Sequence, residues 1–323
     1  MTLSDAAYGA WLLALLTAVA YVGSAPEERG ALQPTAAAAA GTPDAVADAT
    51  GRAVPRRAYA RIASASSYAD ALLLTLADTD HAYGITRVDD VGGCTLAEPE
   101  RIIALSQAGH SRRPDAYRYG SRALIASPSD LERLLTLRAD LLLVNHLGAQ
   151  SALARVRNAG IEVFDLGELR GLASLETGLP ALAALLGERA RGERLWQRFH
   201  AQLQAVARDI PPAQRRAALY LAIYAGKLYG GTRGTSYHDV LSAAGLIDSA
   251  PERYRDWPAY DPEEILRMDP ALIVTETGMG EQLCQNAWLK TLQACRAQRA
   301  GIVELASQLL GDPGLRVYPN AAR

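Results

Sequence analysis

The chain has 323 residues, of which 49% are hydrophobic and 21% charged, and its formal net charge is −2. This length predicts two packing units with accessory sequence, and the charged fraction excludes a protein made mainly of membrane spans. Because Lys and Arg are not in excess, the surface lacks the feature that attracts nucleic acid phosphates, and we expect no nucleic acid partner.

Residues 1–25 predict a membrane signal. An uncharged apolar run at residues 6–25 is about as long as a helix needs to cross a bilayer. Residues 23–25 (GSA) are small enough for cleavage but Pro26 directly follows them, so two interpretations stay open: a cleaved signal peptide or a retained N-terminal membrane anchor. Both predict that the rest of the chain is exported to the periplasm or cell envelope.

Residues 26–57 predict a flexible linker. The segment is rich in Ala, Gly, Pro and Thr and shows no sustained apolar periodicity. Such a composition cannot bury enough apolar surface to order itself, so it is typical of a tether.

Residues 58–175 predict an N-terminal α/β lobe, because short apolar runs alternate with helical patterns. This alternation is typical of a parallel sheet covered by helices. The predicted strands lie at 61–66, 81–86, 102–106, 140–145 and 161–166, and the clearest helices at 69–76 and 149–158.

Residues 176–212 predict helices that connect two halves. Apolar residues such as Leu195, Phe199 and Leu203 recur at three- and four-residue steps in a charged background, which indicates an amphipathic helix. About twenty residues, from Glu188 to Arg208, would span roughly 30 Å.

Residues 213–323 predict a C-terminal α/β lobe, with strands at 217–224 and 271–275 and a helix at 237–244 that Gly245 ends. Residues 129–144 and 260–275 are similar, since each has an acid-capped helix followed by a strand. The predicted fold class is therefore α/β, with two Rossmann-like lobes whose parallel sheets are joined by a single long α-helix.

Cys284 and Cys295 flank a short predicted helix and could form a disulfide in an oxidising compartment. Two buried free thiols are the alternative. Because no CxxC pair or nearby His completes a ligand set, we predict no metal site.

Three segments resemble a known family: residues 61–64 (RIAS), residues 84–86 (GIT), and the turn and helix at 231–241 (GTRGTSYHDVL). They are similar to the periplasmic substrate-binding proteins of ABC importers for ferric siderophores, haem and cobalamin, the helical-backbone (class III) binding proteins. The resemblance implies a monomer with no enzymatic activity and no intrinsic cofactor, which binds a metal chelate between its lobes and delivers it to an ABC permease in the membrane.

Ligands of open parallel sheets bind beyond the carboxyl ends of the strands. Side chains expected there in the first lobe are Ser67, Tyr68, Thr86, Arg87, His110, Arg112, Arg113, Asn145 and His146. In the second lobe they are Tyr229, Thr232, Arg233, Trp257, Tyr260, Thr277 and Met279.

The residue types at these positions suit more than one chelate. Guanidinium groups and aromatic walls would fit an anionic ferric siderophore. Haem propionates would pair with Arg112 and Arg113, with His110 or Tyr229 as an iron ligand, and cobalamin would pack on Trp257 and Tyr260. The sequence does not choose among the three.

Glu132 and Glu263 occupy matching places in the two similar segments, and they could dock onto basic pockets of the permease. Helix capping and solvation are the alternative explanation. Two other functions stay open: a membrane-tethered sensor or scaffold of the same fold, and an α/β metabolic enzyme with an active site between the lobes. The sequence contains no GxSxG, GxxxxGK[ST] or HExxH motif, so we predict no catalytic residues.

Overall fold

The computed structural model describes residues 44–77, 99–110, 119–146, 150–208, 210–297 and 300–305, and its first element is an antiparallel hairpin. Strands β1 (Ala45–Ala47) and β2 (Ala53–Pro55) lie within the segment predicted as a linker. The Asp48 carboxylate holds their turn by accepting the backbone N–H groups of Thr50 and Arg52, at 2.9 and 3.0 Å. Val54 is fully buried, so the hairpin is part of the folded unit.

A parallel sheet of five strands follows. Its elements are β3 (Ile62–Ser64), α1 (Ser67–Ala77), β4 (Ile102–Ser106), α2 (Gln107–His110), β5 (Ala123–Ile125), α3 (Leu131–Thr136), β6 (Leu141–Val144), α4 (Gln150–Asn158) and β7 (Glu162–Asp165). The strand order is β5-β4-β3-β6-β7, so the chain reverses its direction across the sheet between β3 and β6. The strand predicted at 81–86 lies outside the described residues.

Two helices lead from the first sheet to the second. Helix α5 (Leu172–Leu185) packs along α6 (Arg189–Arg208). The 20 residues of α6 are the predicted connecting helix, and its Phe199 and Leu203 are buried as the three- and four-residue spacing requires.

The second half contains β8 (Ala217–Tyr220), β9 (Ala222–Tyr224), β10 (Lys227–Tyr229), α7 (Ser236–Ala243), β11 (Ile247–Asp248), β12 (Ala259–Tyr260), α8 (Pro262–Met268), β13 (Leu272–Glu276), α9 (Gly280–Gln285), α10 (Gln293–Arg296) and β14 (Ile302–Leu305). Strands β11-β8-β13-β14 form a parallel sheet, and β12-β10-β9 form a small antiparallel sheet. Direction across the parallel sheet reverses between β8 and β13.

The single strand predicted at 217–224 is wrong, because the chain changes sheet at Leu221. Strand β8 ends at Tyr220, and β9 pairs with β10 through a two-residue turn, Ala225-Gly226. Both turn residues have positive φ, +48° and +75°, which is typical of a type I′ hairpin turn.

The two parallel sheets share one apolar cluster, which explains why Gly41–Arg323 is one compact unit. Alternate residues of each strand point to opposite faces. Leu141 and Leu143 of β6 and Val274 of β13 belong to the shared cluster, whereas Leu142 and Ile273 belong to separate outer clusters. The fold is the predicted α/β class, with each sheet covered on both faces.

The two similar sequence segments fold alike. Helix α3 leads into β6 and helix α8 leads into β13, and each of these strands lies beside the first strand of its parallel sheet. The predicted disulfide is present between Cys284 and Cys295, whose Cα atoms are 5.3 Å apart.

The predicted N-terminal membrane segment lies outside the described residues. Among those that are described, no helix has both the length and the apolar character that crossing a bilayer requires.

Candidate functional site

The reversal point of the second parallel sheet carries a cluster of aromatic side chains around one carboxylate. Tyr220 ends β8 and Glu276 ends the neighbouring strand β13, so both lie at the carboxyl edge where the strand order reverses. Crevices that bind ligands in open α/β sheets form at such points. We call Tyr220, Tyr224, Tyr237, Trp257 and Glu276 the Glu276 cluster.

Two phenols donate to the carboxylate of this cluster. The hydroxyls of Tyr220 and Tyr224 lie 3.3 and 3.4 Å from Glu276 Oε1. These distances exceed the usual range of roughly 2.5–3.0 Å for O–H···O bonds, so both hydrogen bonds are weak. The carboxylate therefore keeps capacity to accept a stronger donor.

The rings of the Glu276 cluster pack on one another. The centroids of Tyr220 and Tyr237 are 4.0 Å apart, and Trp257 meets Tyr237 edge-on at 4.6 Å. Tyr220 and Tyr237 are buried, whereas Trp257 is 49% exposed. The cluster thus combines two buried rings with the exposed ring of Trp257, which we call its open aromatic wall.

Burial raises the pKa of Tyr220 far above its ordinary value, and the neighbouring Tyr237 and the charge on Glu276 raise it further. Burial and the charge on Glu276 also raise the pKa of Tyr237. Both shifts favour the protonated phenols, and the Tyr220 hydroxyl donates to Glu276.

The small antiparallel sheet carries two more of the predicted site residues. Tyr229 of β10 is half-buried, and its ring lies 6.2 Å from that of Tyr224, at the margin of the Glu276 cluster. Tyr260 of β12 is buried against Tyr254, and its hydroxyl finds no partner among the described residues. Tyr260 therefore packs behind the hairpin.

Thr232 and Arg233 hold the turn that precedes α7. The buried Thr232 donates its hydroxyl to Asp248 Oδ2 at 2.7 Å, and His238 Nδ1 lies at 2.7 Å from the same oxygen. Arg233 donates to the carbonyl of Ala250 at 2.8 Å. Burial raises the pKa of Asp248, but the hydrogen bonds from His238 and Thr232 outweigh it and the net shift is downward.

Ser242 extends this group in the manner of a Ser-His-Asp triad, since its hydroxyl lies 3.5 Å from His238 Nε2. Ser242 stands in the last turn of α7, where the following backbone N–H groups of Ala244 and Gly245 donate to Val240 and Ser242. Acyl transfer needs free N–H donors for the developing oxyanion. Those N–H groups are already used, so the arrangement does not favour a nucleophilic serine.

Thr277 and Met279 lie directly after β13. Thr277 is exposed and donates its backbone N–H to Leu305, while Met279 is half-buried and donates its backbone N–H to the carbonyl of Glu276. Both residues therefore follow Glu276 closely along the chain.

The edge of the first sheet contains a buried carboxylate that the sequence did not indicate. Asp70 of α1 accepts the backbone N–H and hydroxyl of Ser106 at 3.1 and 2.6 Å, and the hydroxyl of Tyr119 at 2.8 Å. Burial raises its pKa to about 6, although these hydrogen bonds lower it. The ring of the exposed His110 meets the ring of Tyr119 edge-on, with the centroids 5.5 Å apart, so His110 lies between this group and solvent.

Asn145 and His146 follow β6, at the reversal point of the first sheet. His146 has φ +54° and donates its backbone N–H to Asp165 Oδ1 at 2.8 Å, with an exposed side chain. Asn145 Oδ1 is buried without a partner among the described residues. An unpartnered acceptor at this edge suits a ligand or water donor.

Tyr68 is directed into the core. It is fully buried, and its hydroxyl donates to the carbonyl of Ser174 in α5. Ser67 is half-buried at the start of α1. Four further predicted site residues, Thr86, Arg87, Arg112 and Arg113, lie outside the described residues.

The structure brings several predicted residues together and adds others. Tyr229 lies beside Tyr224, and Trp257 packs against Tyr220 and Tyr237. The sequence did not indicate Tyr220, Tyr237 or Glu276 as site residues. The predicted strands end at 224 and 275, whereas β8 ends at Tyr220 and β13 at Glu276, so these two residues were not expected at the strand ends. Within the described ranges, no three His, Cys, Asp or Glu side chains are grouped to hold a metal ion.

Comparison with known proteins gives a consistent picture. A family model described as "Periplasmic binding protein" matches residues 104–302. The chain is similar to a possible iron-binding (periplasmic solute-binding) protein from Staphylococcus epidermidis, with 14% identity, TM-score 0.65, and coverage of 82% of this chain and 97% of the other.

Two haem-binding proteins are also similar. The periplasmic haem-binding protein HutB of Vibrio cholerae has 18% identity and TM-score 0.63, with 81% and 95% of the two chains covered. RhuT of Roseiflexus sp. RS-1 has 20% identity and TM-score 0.60, with 82% and 100% covered. At these identities the solved structures support the fold alone. No match was found among curated proteins.

Proposed function

Since the chain belongs to the periplasmic binding protein family, we propose that it is the substrate-binding protein of an ABC importer. It captures a metal chelate, which is a ferric siderophore, haem or cobalamin, between its two parallel sheets and delivers it to a membrane permease. The observation that carries the proposal is the open aromatic wall of Trp257 at the strand-reversal edge of the second sheet, combined with the family match.

The geometry favours ligand binding over catalysis. An exposed Trp and half-buried tyrosines offer large contact area at low conformational cost, which is what a bulky chelate needs. From the first sheet we propose His110, His146 and Asn145 as further ligand contacts, because His110 and His146 are exposed and Asn145 Oδ1 has no partner among the described residues. The similar solved structures are those of haem-binding proteins and a possible iron-binding protein, which supports a chelate as the ligand.

Tyr229, His110 and the residues Thr86, Arg87, Arg112 and Arg113 stay as proposed ligand contacts. We assign Tyr68, Thr232, Arg233 and Tyr260 to support of the site, because each is either buried in the core or hydrogen-bonded to neighbouring protein groups. Ser67, Thr277 and Met279 are proposed as rim residues.

Delivery would use Glu132 and Glu263. Both side chains are exposed near the starts of α3 and α8, the two helices that occupy equivalent topological positions. A pair of like charges presented by related units is suited to two basic pockets of a permease. In a transport assay, the double variant Glu132→Arg/Glu263→Arg should lose uptake while the chelate affinity of the purified protein stays unchanged.

Export follows from the same proposal. The Cys284–Cys295 disulfide is typical of an oxidising compartment such as the periplasm, and residues 1–25 are proposed as the export signal or anchor. The protein is expected to act as a monomer, which sedimentation of the purified chain would test.

Titration of the purified full-length chain tests the ligand class. Haemin, cyanocobalamin and a ferric trihydroxamate chelate are each added while the Trp fluorescence is followed. We expect saturable quenching by one of them, with a Kd of about 1 μM or lower. Trp257→Phe should remove most of the quenching, and Trp288→Phe, which replaces another exposed Trp, should not.

The outcomes separate the three functions. If none of the chelates binds, the receptor proposal is wrong. Chemical conversion of a bound chelate would favour the enzyme alternative, and binding without uptake in cells that carry an ABC permease for the chelate would favour the sensor.

A further inference from the structure

The carboxylate of Glu276 has no cationic partner in the described part of the chain. Its hydrogen bonds come from the hydroxyls of Tyr220 and Tyr224, at 3.3 and 3.4 Å, and none of the described ion pairs includes it. Glu276 is half-buried, so part of its hydration shell is lost. A partly desolvated charge with weak donors gains most from a cation placed beside it.

The rings around Glu276 add to the same sign of potential. The face of an aromatic ring is negative, and cations are attracted to Trp and Tyr faces within about 6 Å of the centroid. Tyr220, Tyr237 and Trp257 form a continuous aromatic group, with centroid separations of 4.0, 4.6 and 6.4 Å. Because Trp257 is exposed, a ligand can reach its face from solvent.

A metal ion bound by the phenols of Tyr220 and Tyr237 would offset this negative potential, but the protonated phenols are poor metal ligands. Burial and the Glu276 charge raise the pKa of Tyr220 and Tyr237, so the hydroxyls remain neutral. Direct ferric coordination would need phenolates, and forming them next to an existing carboxylate is costly. The cluster therefore presents one carboxylate beside an aromatic wall.

We infer that the Glu276 cluster is a subsite for an alkylammonium group of the ligand, with Glu276 as its counter-charge and Trp257 as its aromatic face. The inference rests on the proposed function, because it names the charge of one part of the captured ligand. The charge of this ligand group is opposite to that of the anionic chelate that Arg87, Arg112 and Arg113 would suit. A chelate with a positively charged arm satisfies the second-sheet side of the cleft.

A matched pair of small probes tests the charge preference apart from any chelate. Choline carries a quaternary ammonium group, and 3,3-dimethylbutan-1-ol has the same shape without the charge. Ligand-observed NMR on the full-length protein gives the two affinities. We expect choline to bind about tenfold more tightly than the uncharged alcohol, as a cation in an aromatic site with a carboxylate should.

Three variants locate the effect. Glu276→Gln keeps an acceptor for Tyr220 and Tyr224 but removes the charge, and it should abolish the preference for choline. Trp257→Leu should weaken choline binding by about fivefold. Glu252→Gln removes an exposed carboxylate outside the cluster and should leave the preference unchanged.

Equal binding of choline and the alcohol to the wild-type protein, or no binding of choline, would overturn the inference. So would a tyrosinate-to-iron charge-transfer band on addition of ferric nitrilotriacetate that persists in Tyr229→Phe and is lost in Tyr220→Phe, because it would make the cluster a metal site. Failure of all three chelates in the fluorescence titration, with choline still preferred, would overturn the proposed chelate capture but leave the cation subsite standing.

Discussion

Asp239 Oδ2 accepts the backbone N–H of Leu172 at 2.7 Å, so a residue of α7 caps the N-terminus of α5 across 67 positions of sequence. Gly171 precedes that helix and supplies no side-chain cap. A carboxylate at a helix N-terminus satisfies a free N–H and complements the helix dipole. This contact ties the loop that leaves the first sheet to the second half of the chain.

Gly171→Ala should destabilise the protein more than an ordinary glycine replacement. Gly171 has φ +64°, and a Cβ there would lie 2.0 Å from Asp239 Oδ2 and 3.0 Å from the backbone of Ser236. We expect the free energy of unfolding in urea to fall by about 2–4 kcal/mol.

Gly187→Ala is the control for that replacement. Gly187 also has positive φ, +83°, but nothing lies within 4 Å of the added Cβ. The loss should be about 1 kcal/mol. Equal losses in the two variants would mean that the contact with α7 is not tight.

Asp70 should make stability depend on pH. Burial raises its pKa from 3.8 to about 6, so the folded protein binds this proton more tightly than the unfolded chain. The stability contributed by the protonated form is complete below pH 3.8 and is lost as the pH rises through about 6.

Relative to Asp70→Asn, the free energy of unfolding of the wild-type protein should fall by about 2–3 kcal/mol between pH 4 and pH 7. Urea unfolding of both proteins across this range measures the difference. Parallel pH profiles would show that Asp70 keeps an ordinary pKa.

The disulfide should stabilise the second half of the chain. Cys284 and Cys295 close a loop with a sequence separation of 11, and Cys295 is buried in the outer apolar cluster of the second sheet. Replacement of both by Ala should lower the free energy of unfolding by about 2–3 kcal/mol. Reduction with dithiothreitol should have a similar effect on the wild type and none on the variant.

Tyr68→Phe should show whether Tyr68 stabilises the fold or contacts the ligand. Removing the hydroxyl leaves the buried carbonyl of Ser174 without this donor, so stability should fall by about 1–2 kcal/mol. Chelate affinity should stay within about twofold of wild type, since Tyr68 is fully buried. A tenfold loss of affinity without loss of stability would return Tyr68 to the ligand site.

For Trp257 we expect the opposite result, a loss of ligand affinity with little loss of stability. Because its ring is 49% exposed, Trp257→Ala should change the free energy of unfolding by less than about 1 kcal/mol. Affinity for the chelate should fall about tenfold or more. Isothermal titration calorimetry of a variant with an unchanged urea midpoint checks both parts, because this variant lacks the Trp257 reporter of the fluorescence titration.

Strong local patterns explain most of what could be predicted. The amphipathic spacing of Phe199 and Leu203 fixes α6, and Gly245, with φ +69°, stops α7 as predicted. The hairpin around Asp48 was missed because it depends on side-chain hydrogen bonds and not on apolar periodicity. The break at Leu221 was missed because Ala222–Tyr224 is as apolar as β8 itself.

The spacing of residues close along the chain predicts the fold class, the connecting helix and the paired helix-strand units, and it leaves the Cys284–Cys295 disulfide as one of two possibilities. The folded chain alone shows that this disulfide forms. It alone also shows that Tyr220 and Glu276 meet, that Asp239 caps α5 and that Tyr68 is in the core. Those contacts join residues far apart in sequence, and no local periodicity encodes which distant partner a buried polar group will find.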